Sequence, residues 1–438
     1  MASTYLSRTP SSNGNSTTWT YSCWVKLSTP STSSQQLLDV NDGTHSNSLR
    51  ITPTGLRATN YNPSYAWNIR TNRLFRDTNA WYHIVLSVDT TQATSSDRIK
   101  MYINGVQETS FLEETYPSQN ATNYVNTTTP HYIGSQAGTG YLFDGSMSHI
   151  HFIDGTAYDA LAFGEFDANG VWKIKTSPSV TYGTNGFFIL KDGNSVTDQS
   201  GNGNNFTVAG GTLTNTEDNP SNVFATYNPL AVDKLASMSN GNLQGEASST
   251  GSKRGVSTIC ASSGKYYCEQ KVSSLSGSLV SWFGIFEMED FSNTQRSLSN
   301  GQYNWGYEND GTVDTNGSTH TSGVPTYTTG DIIGVALDLD NGYVYFSKNG
   351  TFINSGDPTS GSSGTGGFSV NITNNKIYGI GADIYAFDGT TTIQANYGNG
   401  YFGTTAVASA GTNASGIGIF EYDVPTGYTA LSTKGLNL

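Results

Sequence analysis

The chain has 438 residues, enough for two domains that each bury a core of their own. Only 13% of residues are charged, 12% are aromatic and Gly reaches 50, a composition that suits short strands and turns rather than helices. A formal charge of −13 with no basic run repels phosphate backbones, which excludes nucleic acid as a partner.

No stretch approaches the roughly 18 apolar residues of a membrane span, so no membrane insertion is expected. The opening MASTYLSRTP has neither the basic nor the apolar region of a secretory signal. Three cysteines, Cys23, Cys260 and Cys268, are too few for a disulfide framework. Cys260 and Cys268 flank the turn Ser262-Ser263-Gly264, either facing each other across a hairpin or standing as two half-buried thiols.

In chain order, WTYSCWVKL is the first clear strand, with Trp19, Tyr21, Cys23, Val25 and Leu27 on one face. QQLLDV, the turn NDGTHSN and SLRI follow. The Tyr- and Asn-rich TNYNPSYAWNIRTNRLF reads as a long loop with one short strand. WYHIVLSVD aligns Tyr82, Ile84, Leu86 and Val88. RIKMYINGVQ then places Asn104-Gly105 at a turn that tolerates positive φ, and YLFDGSMSHIHFIDG is a further strand. This order resembles the laminin-G-like and concanavalin A-like jelly rolls, in which a W-Y-H strand precedes a K-x-Y-x-N-G hairpin and an F-D-G strand closes the sandwich. The resemblance covers residues 1–165.

Residues 166–235 read as an ordered connector, because Trp172, Phe187, Phe188, Ile189 and Phe206 need a surface to pack on. From 236 to 438 the chain resembles a SPRY domain. The carriers are G-K-Y-Y-x-E at Gly264–Glu269, G-D-I-I-G-V-A-L-D-L-D-N-G at Gly330–Gly342 and F-x-K-N-G at Phe346–Gly350. Ile333, Val335, Leu337 and Leu339 form one apolar face, with Val344 and Phe346 beside them. The expected fold is therefore all-β: two tandem antiparallel sandwiches with an ordered connector.

The sequence of sandwich, connector, SPRY-like module and P-T-G-Y-x-A-L end is similar to tail and fibre proteins of marine bacteriophages. That resemblance implies a virion surface protein, assembled in the host cytoplasm. Its partners would be other virion proteins and a host glycan or receptor, and it would form a homo-oligomer such as a trimer. A structural decoration or adaptor protein and a divergent glycoside hydrolase remain the alternatives.

Glycosidase chemistry needs two carboxylates roughly 5 Å apart for retention. The nearest pairs, Glu165/Asp167 and Glu287/Glu289, read as solvated edge carboxylates, so no catalytic residue is assigned and the chain is expected not to be an enzyme. No G-x-S-x-G elbow occurs. GNGYFG at Gly398–Gly403 matches a dinucleotide fingerprint in letters, but no helical pattern follows to receive a phosphate.

Asp39, Asn41 and Asp42 offer hard oxygens that could hold Ca²⁺, although Asx residues also build turns without a metal. His149 and His151 share a strand face that zinc could use, yet no third ligand is near, and an exposed strand face is the expectation. For a saccharide, Tyr61, Tyr65, Trp67, Asn68 and Arg70 combine stacking rings with directional donors. Arg73 and Arg76 extend the same basic stretch.

Overall fold

A computed structural model describes residues 4–191, 195–231, 233–248, 251–274, 279–289, 291, 298–299, 301–386 and 389–437. The chain divides into two compact units, Met1–Asn215 and Thr216–Leu438. The boundary falls inside the stretch set aside as a connector. Phe187–Ile189 and Thr207–Gly210 are strands of the first unit's sheets.

The first unit is a sandwich of an eight-stranded and a six-stranded antiparallel sheet. The eight-stranded sheet runs Phe111–Thr115, Ser64–Thr71, Gly55–Asn62, Ser46–Thr52, Gln35–Asn41, His131–Ile133, Tyr5–Arg8 and Thr207–Gly210. The six-stranded sheet runs Phe187–Ile189, Gly145–Asp154, Thr18–Leu27, Tyr82–Asp89, Ile99–Ile103 and Val106–Gln107. Period-2 alternation sends Trp19, Tyr21, Cys23, Val25 and Leu27 into the core between them, with Ile84, Leu86 and Val88 on the neighbouring strand. Asn104 and Gly105 have φ of 48° and 82°, the pair of left-handed residues that a type I′ hairpin requires.

The six-stranded sheet is covered on its other face as well. Phe163, Tyr158, Trp172, Val180 and Tyr182 pack over Val85 and Ile153. Residues 155–182 thus serve as a lid on this sandwich, which explains where Trp172 goes. His83 lies beneath that lid, its ring stacked between Trp24 at 4.8 Å and Trp172 at 5.7 Å.

The second unit repeats the architecture. One sheet is built around Lys265–Ser274, Ile332–Asp338, Tyr343–Lys348 and Thr391–Asn396; the other around Tyr378–Ala386, Leu279–Glu287 and Trp305–Glu308. Ile333, Val335, Leu337, Leu339, Val344 and Phe346 all enter the core between them. Trp305 and Tyr307 are buried there too. Asp338 Oδ1 accepts the N–H groups of Asp340 and Asn341, which makes the Asp-Asn-Gly segment a hairpin turn.

Four expectations are corrected by the structure. The segment Asn60–Thr71 is no loop: Gly55–Asn62 and Ser64–Thr71 pair as a hairpin about Pro63. His149 and His151 are not on an exposed face. A bulge between Ser148 and His151, with His149 at φ 47°, breaks the alternation, and both rings lie against Phe188 under cover. Glu287 is buried with Lys376 Nζ at 3.5 Å rather than solvated. Cys268 lies fully inside the core and, like Cys23 and Cys260, is a free thiol.

Candidate ligand-binding site

The hairpin geometry decides which residues of Tyr61–Arg70 face outward. Residues paired across neighbouring strands share a face, and alternate residues on a strand take opposite faces. Trp67 and Ile69 point into the core, Trp67 being only 2% exposed. Asn68 and Arg70 point out. Tyr61 follows Arg57 and Thr59 outward, and a bulge at Ala66, opposite the Asn60–Tyr61 step, turns Tyr65 out beside it instead of inward with Trp67. Their rings meet edge to face at 5.5 Å and remain 38% and 47% exposed. Four of the five residues expected to touch a sugar therefore share one surface, and Trp67 does not.

The same register gathers residues that the sequence reading missed. Gln36 lies opposite Arg50, Arg50 opposite Arg57, Arg57 opposite Arg70, and Arg70 opposite Glu113. A second row runs Tyr132, Asp39, Ser48, Thr59 and Asn68. Gln36, Asp39, Ser48, Thr59 and Arg50 in these rows are buried, so the accessible part of the face is formed by partly exposed Arg57, Asn68 and Arg70 beside Tyr61 and Tyr65.

Its hydrogen bonds converge on Glu113. Arg70 Nη2 donates to Glu113 Oε1 at 2.6 Å and Asn68 Nδ2 donates to Oε2 at 2.8 Å. Arg57 Nε donates to Asn68 Oδ1 at 2.9 Å and lies 3.2 Å from Glu113 Oε2. Two cation–aromatic pairs flank this network: Arg57 over Tyr65 and Arg50 over Tyr141, each 5.0 Å from the ring centre. Tyr141 belongs to the loop 134–144 beside strand Gln35–Asn41, where its carbonyl accepts the N–H of Gln36.

Asp39, expected as a metal ligand, is fully buried on this face, with Oδ2 accepting the N–H of Ala137 at 3.0 Å. Burial pushes its carboxyl up to about 7, against the smaller opposing effect of its hydrogen bonds and Arg50. Asn41 Oδ1 accepts the N–H of Gly43, while Asp42 Oδ1 accepts those of Thr44 and His45. Asp42 Oδ2 meets His45 Nδ1 at 2.9 Å, and hydrogen bonds from the His45 ring hold the Asp42 carboxyl low, at about 2. The Asn41 and Asp42 oxygens are thus taken up by turn N–H groups and the His45 ring, while Asp39 Oδ1 is buried with no hydrogen-bond partner. No cluster of three His, Cys, Asp or Glu suited to a metal occurs among the described residues.

The pairs Glu165/Asp167 and Glu287/Glu289 each include a carboxylate that caps a local turn. Asp167 Oδ1 accepts the N–H groups of Asn169 and Val171 in the turn of the Gly164–Phe166/Trp172–Ile174 hairpin. Glu287 Oε1 accepts the N–H of Glu289, so that pair is organised as a local turn too. In the second unit, a cavity of about 480 Å³ is lined by Lys265, Tyr266, Asp340, Ser415, Tyr428 and Thr429, with Lys265 Nζ held 2.9 Å from Asp338 Oδ2.

A family profile described as the concanavalin A-like lectin/glucanases superfamily, of laminin-G type, matches residues 2–159. The SPRY domain profile matches residues 265–365. The chain thus carries a concanavalin A-like domain followed by a SPRY domain. No curated protein matches it. Among solved structures it is similar to the SPRY domain of human HERC1, at 16% identity over 35% of this chain and 87% of that one, with a TM-score of 0.28. It is also similar to domain 4 of AbnA, an extracellular arabinanase from Geobacillus stearothermophilus solved with arabinotriose, at 21% identity over 34% and 64% of the two chains, with a TM-score of 0.25. A third is the heptameric SAP-like pentraxin of Limulus polyphemus, at 16% identity over 35% and 71%, with a TM-score of 0.26.

Proposed function

We propose that this chain is a non-enzymatic binding protein of a virion surface, which holds a host glycan on the outward face of its eight-stranded sheet. The observation that carries the binding role is the face itself. Half-exposed Tyr61 and Tyr65 stand beside Asn68, Arg57 and Arg70 on a continuous sheet, and half-exposed Tyr141 of the loop 134–144 packs on Arg50, so stacking surfaces and directional donors are fixed relative to each other before ligand arrives. The virion setting is supported by the order of segments described above. The SPRY domain would then contact other virion proteins, and a homo-oligomer such as a trimer would multiply weak sugar contacts.

Tyr65→Ala with Tyr141→Ala removes both half-exposed rings that carry an arginine. Binding to a glycan array should fall about tenfold or more, by analogy with stacking worth roughly 1–3 kcal/mol per ring. Trp67→Phe serves as the control: it thins the core, costs about 1–2 kcal/mol of stability and leaves binding unchanged. Unaltered array binding by the folded double variant would remove this face from the reading. Sugar release from host envelope would favour a glycoside hydrolase; binding to virion proteins without any glycan would favour an adaptor.

A further inference from the structure

Arg50, Arg57 and Arg70 occupy directly opposed positions on three adjacent strands. Like charges so placed repel, which is a poor arrangement for a sheet on its own account. The chain is otherwise sparing with charge and carries −13 overall, so three neighbouring cations are not a by-product of a basic composition. Glu113 is the one carboxylate within ion-pair distance of the row among the described residues, and it pairs with Arg57 and Arg70 together. Arg50 has no ion pair there; it rests on Tyr141, with its Nε buried and lacking an acceptor. Arg70 Nε is likewise buried without one. The row therefore sets three positive charges against one ion-paired carboxylate, Glu113, with buried Asp39 acting on Arg50 from beyond ion-pair distance.

Strand spacing places the first and last of these arginines roughly 10 Å apart across the sheet. Planar guanidinium forks suit carboxylate and sulfate oxygens, and Tyr65 and Tyr141 offer ring faces alongside them. We infer that the ligand of this face is an acidic glycan, carrying carboxylate or sulfate groups that are read by the Arg50–Arg57–Arg70 row. This inference rests on the reading of the face as a glycan site. An uncharged glycan would leave the row's excess charge uncompensated.

The test uses the whole chain against polygalacturonate as the carboxylated probe, carrageenan as the sulfated one and dextran as the neutral one. Double-stranded DNA controls for indiscriminate attraction to polyanions. The expected result is retention of one or both acidic glycans, weakening as salt is raised, with dextran and DNA not retained. Which acidic probe is held identifies the anionic group. Arg57→Gln and Arg70→Gln should each weaken that binding roughly tenfold. Glu113→Gln should instead strengthen it several-fold, because it frees two guanidinium groups, and a merely structural row would not give that sign. Dextran held as well as the acidic probes would overturn the acidic inference and leave the glycan reading standing. No glycan held at all would overturn both, and DNA held equally at matched salt would replace the inference by non-specific charge attraction.

Discussion

At pH 5 the first unit should melt about 10 °C below its pH 7 midpoint, while the second unit holds or gains stability. The cause is three imidazoles buried as neutral groups in the first unit. Burial lowers His83 to about 3 and His131 to about 4, and it holds His151 well below its ordinary value, with His149, His83 and Lys191 adding smaller repulsions. Geometry agrees with neutrality. Trp172 Nε1, which can only donate, lies 3.2 Å from His83 Nδ1, so that nitrogen must be unprotonated and Nε2–H faces Ser22 Oγ at 2.9 Å. The N–H of Asn126 donates to His131 Nε2 at 3.0 Å, which fixes that ring in the same way.

A folded pKa below the unfolded value near 6.5 means that the unfolded chain takes up protons first as pH falls. Stability is thus present above about 6.5 and is lost below it. Each ring costs about 2 kcal/mol by pH 5, at roughly 1.4 kcal/mol per pH unit. Asp39 works oppositely. Raised to about 7, it binds a proton in the folded state over this range and returns about 2 kcal/mol. The net loss is about 4 kcal/mol, or roughly 10 °C for a unit of this size. In the second unit the described groups with large shifts are acids pushed upward, Glu269 to about 7 and Glu308 to about 8, so acidification favours its folded state. Calorimetry with hydrogen exchange to assign each transition checks this. Parallel melting of both units at pH 5, or earlier melting of the second, would contradict it.

How much of this was legible depended on whether alternation survived. Trp19–Leu27 and Ile333–Leu339 alternate without interruption, and their pattern alone assigns the face that enters the core. The polar sheet face is not legible in this way, because its hairpin is rich in Tyr and Asn, contains Pro63 and slips register between Asn60 and Tyr61. A usable signal was nevertheless present: Leu49-Arg50-Ile51, Leu56-Arg57-Ala58 and Ile69-Arg70 each set an arginine at the outward position of an apolar strand. Had the hairpin been recognised, the row of arginines would have followed from pairing alone. His149 and His151 failed for the converse reason, since the bulge at Ser148 is invisible to a period-2 count. Asp39 was noticed for its oxygens, but burial by the loop 134–144 is a tertiary fact with no local signature.

Glu269 shows what a motif position can conceal. The sequence offered it only as the last letter of G-K-Y-Y-x-E, whereas the structure makes it the clamp for a distant segment. Its two oxygens accept the N–H groups of Glu421 and Tyr422, each at 2.8 Å, and also bonds from Asn396 Nδ2 and the Tyr267 hydroxyl. The side chain is wholly buried, and burial raises its carboxyl to about 7 despite those donors. Glu269→Ala leaves four donors without their acceptor in a dry site, and should destabilise the second unit by about 3–5 kcal/mol. Glu269→Gln keeps the shape and one accepting oxygen but turns an N–H toward one of its former donors, so an intermediate loss is expected. The pH profile separates this clamp from simple packing. With the folded pKa above the unfolded value of 4.5, wild-type stability is full below about 4.5 and declines as pH rises through 7. Glu269→Gln should flatten that decline by about 1.4 kcal/mol per pH unit between pH 5 and 7, the share of one proton. Hydrogen exchange at the amides of Glu421 and Tyr422 should rise in both variants. If those amides stay protected, or if the slope with pH is unchanged, Glu269 is only a filler of core volume and the segment is held by Phe420 and Tyr428 instead.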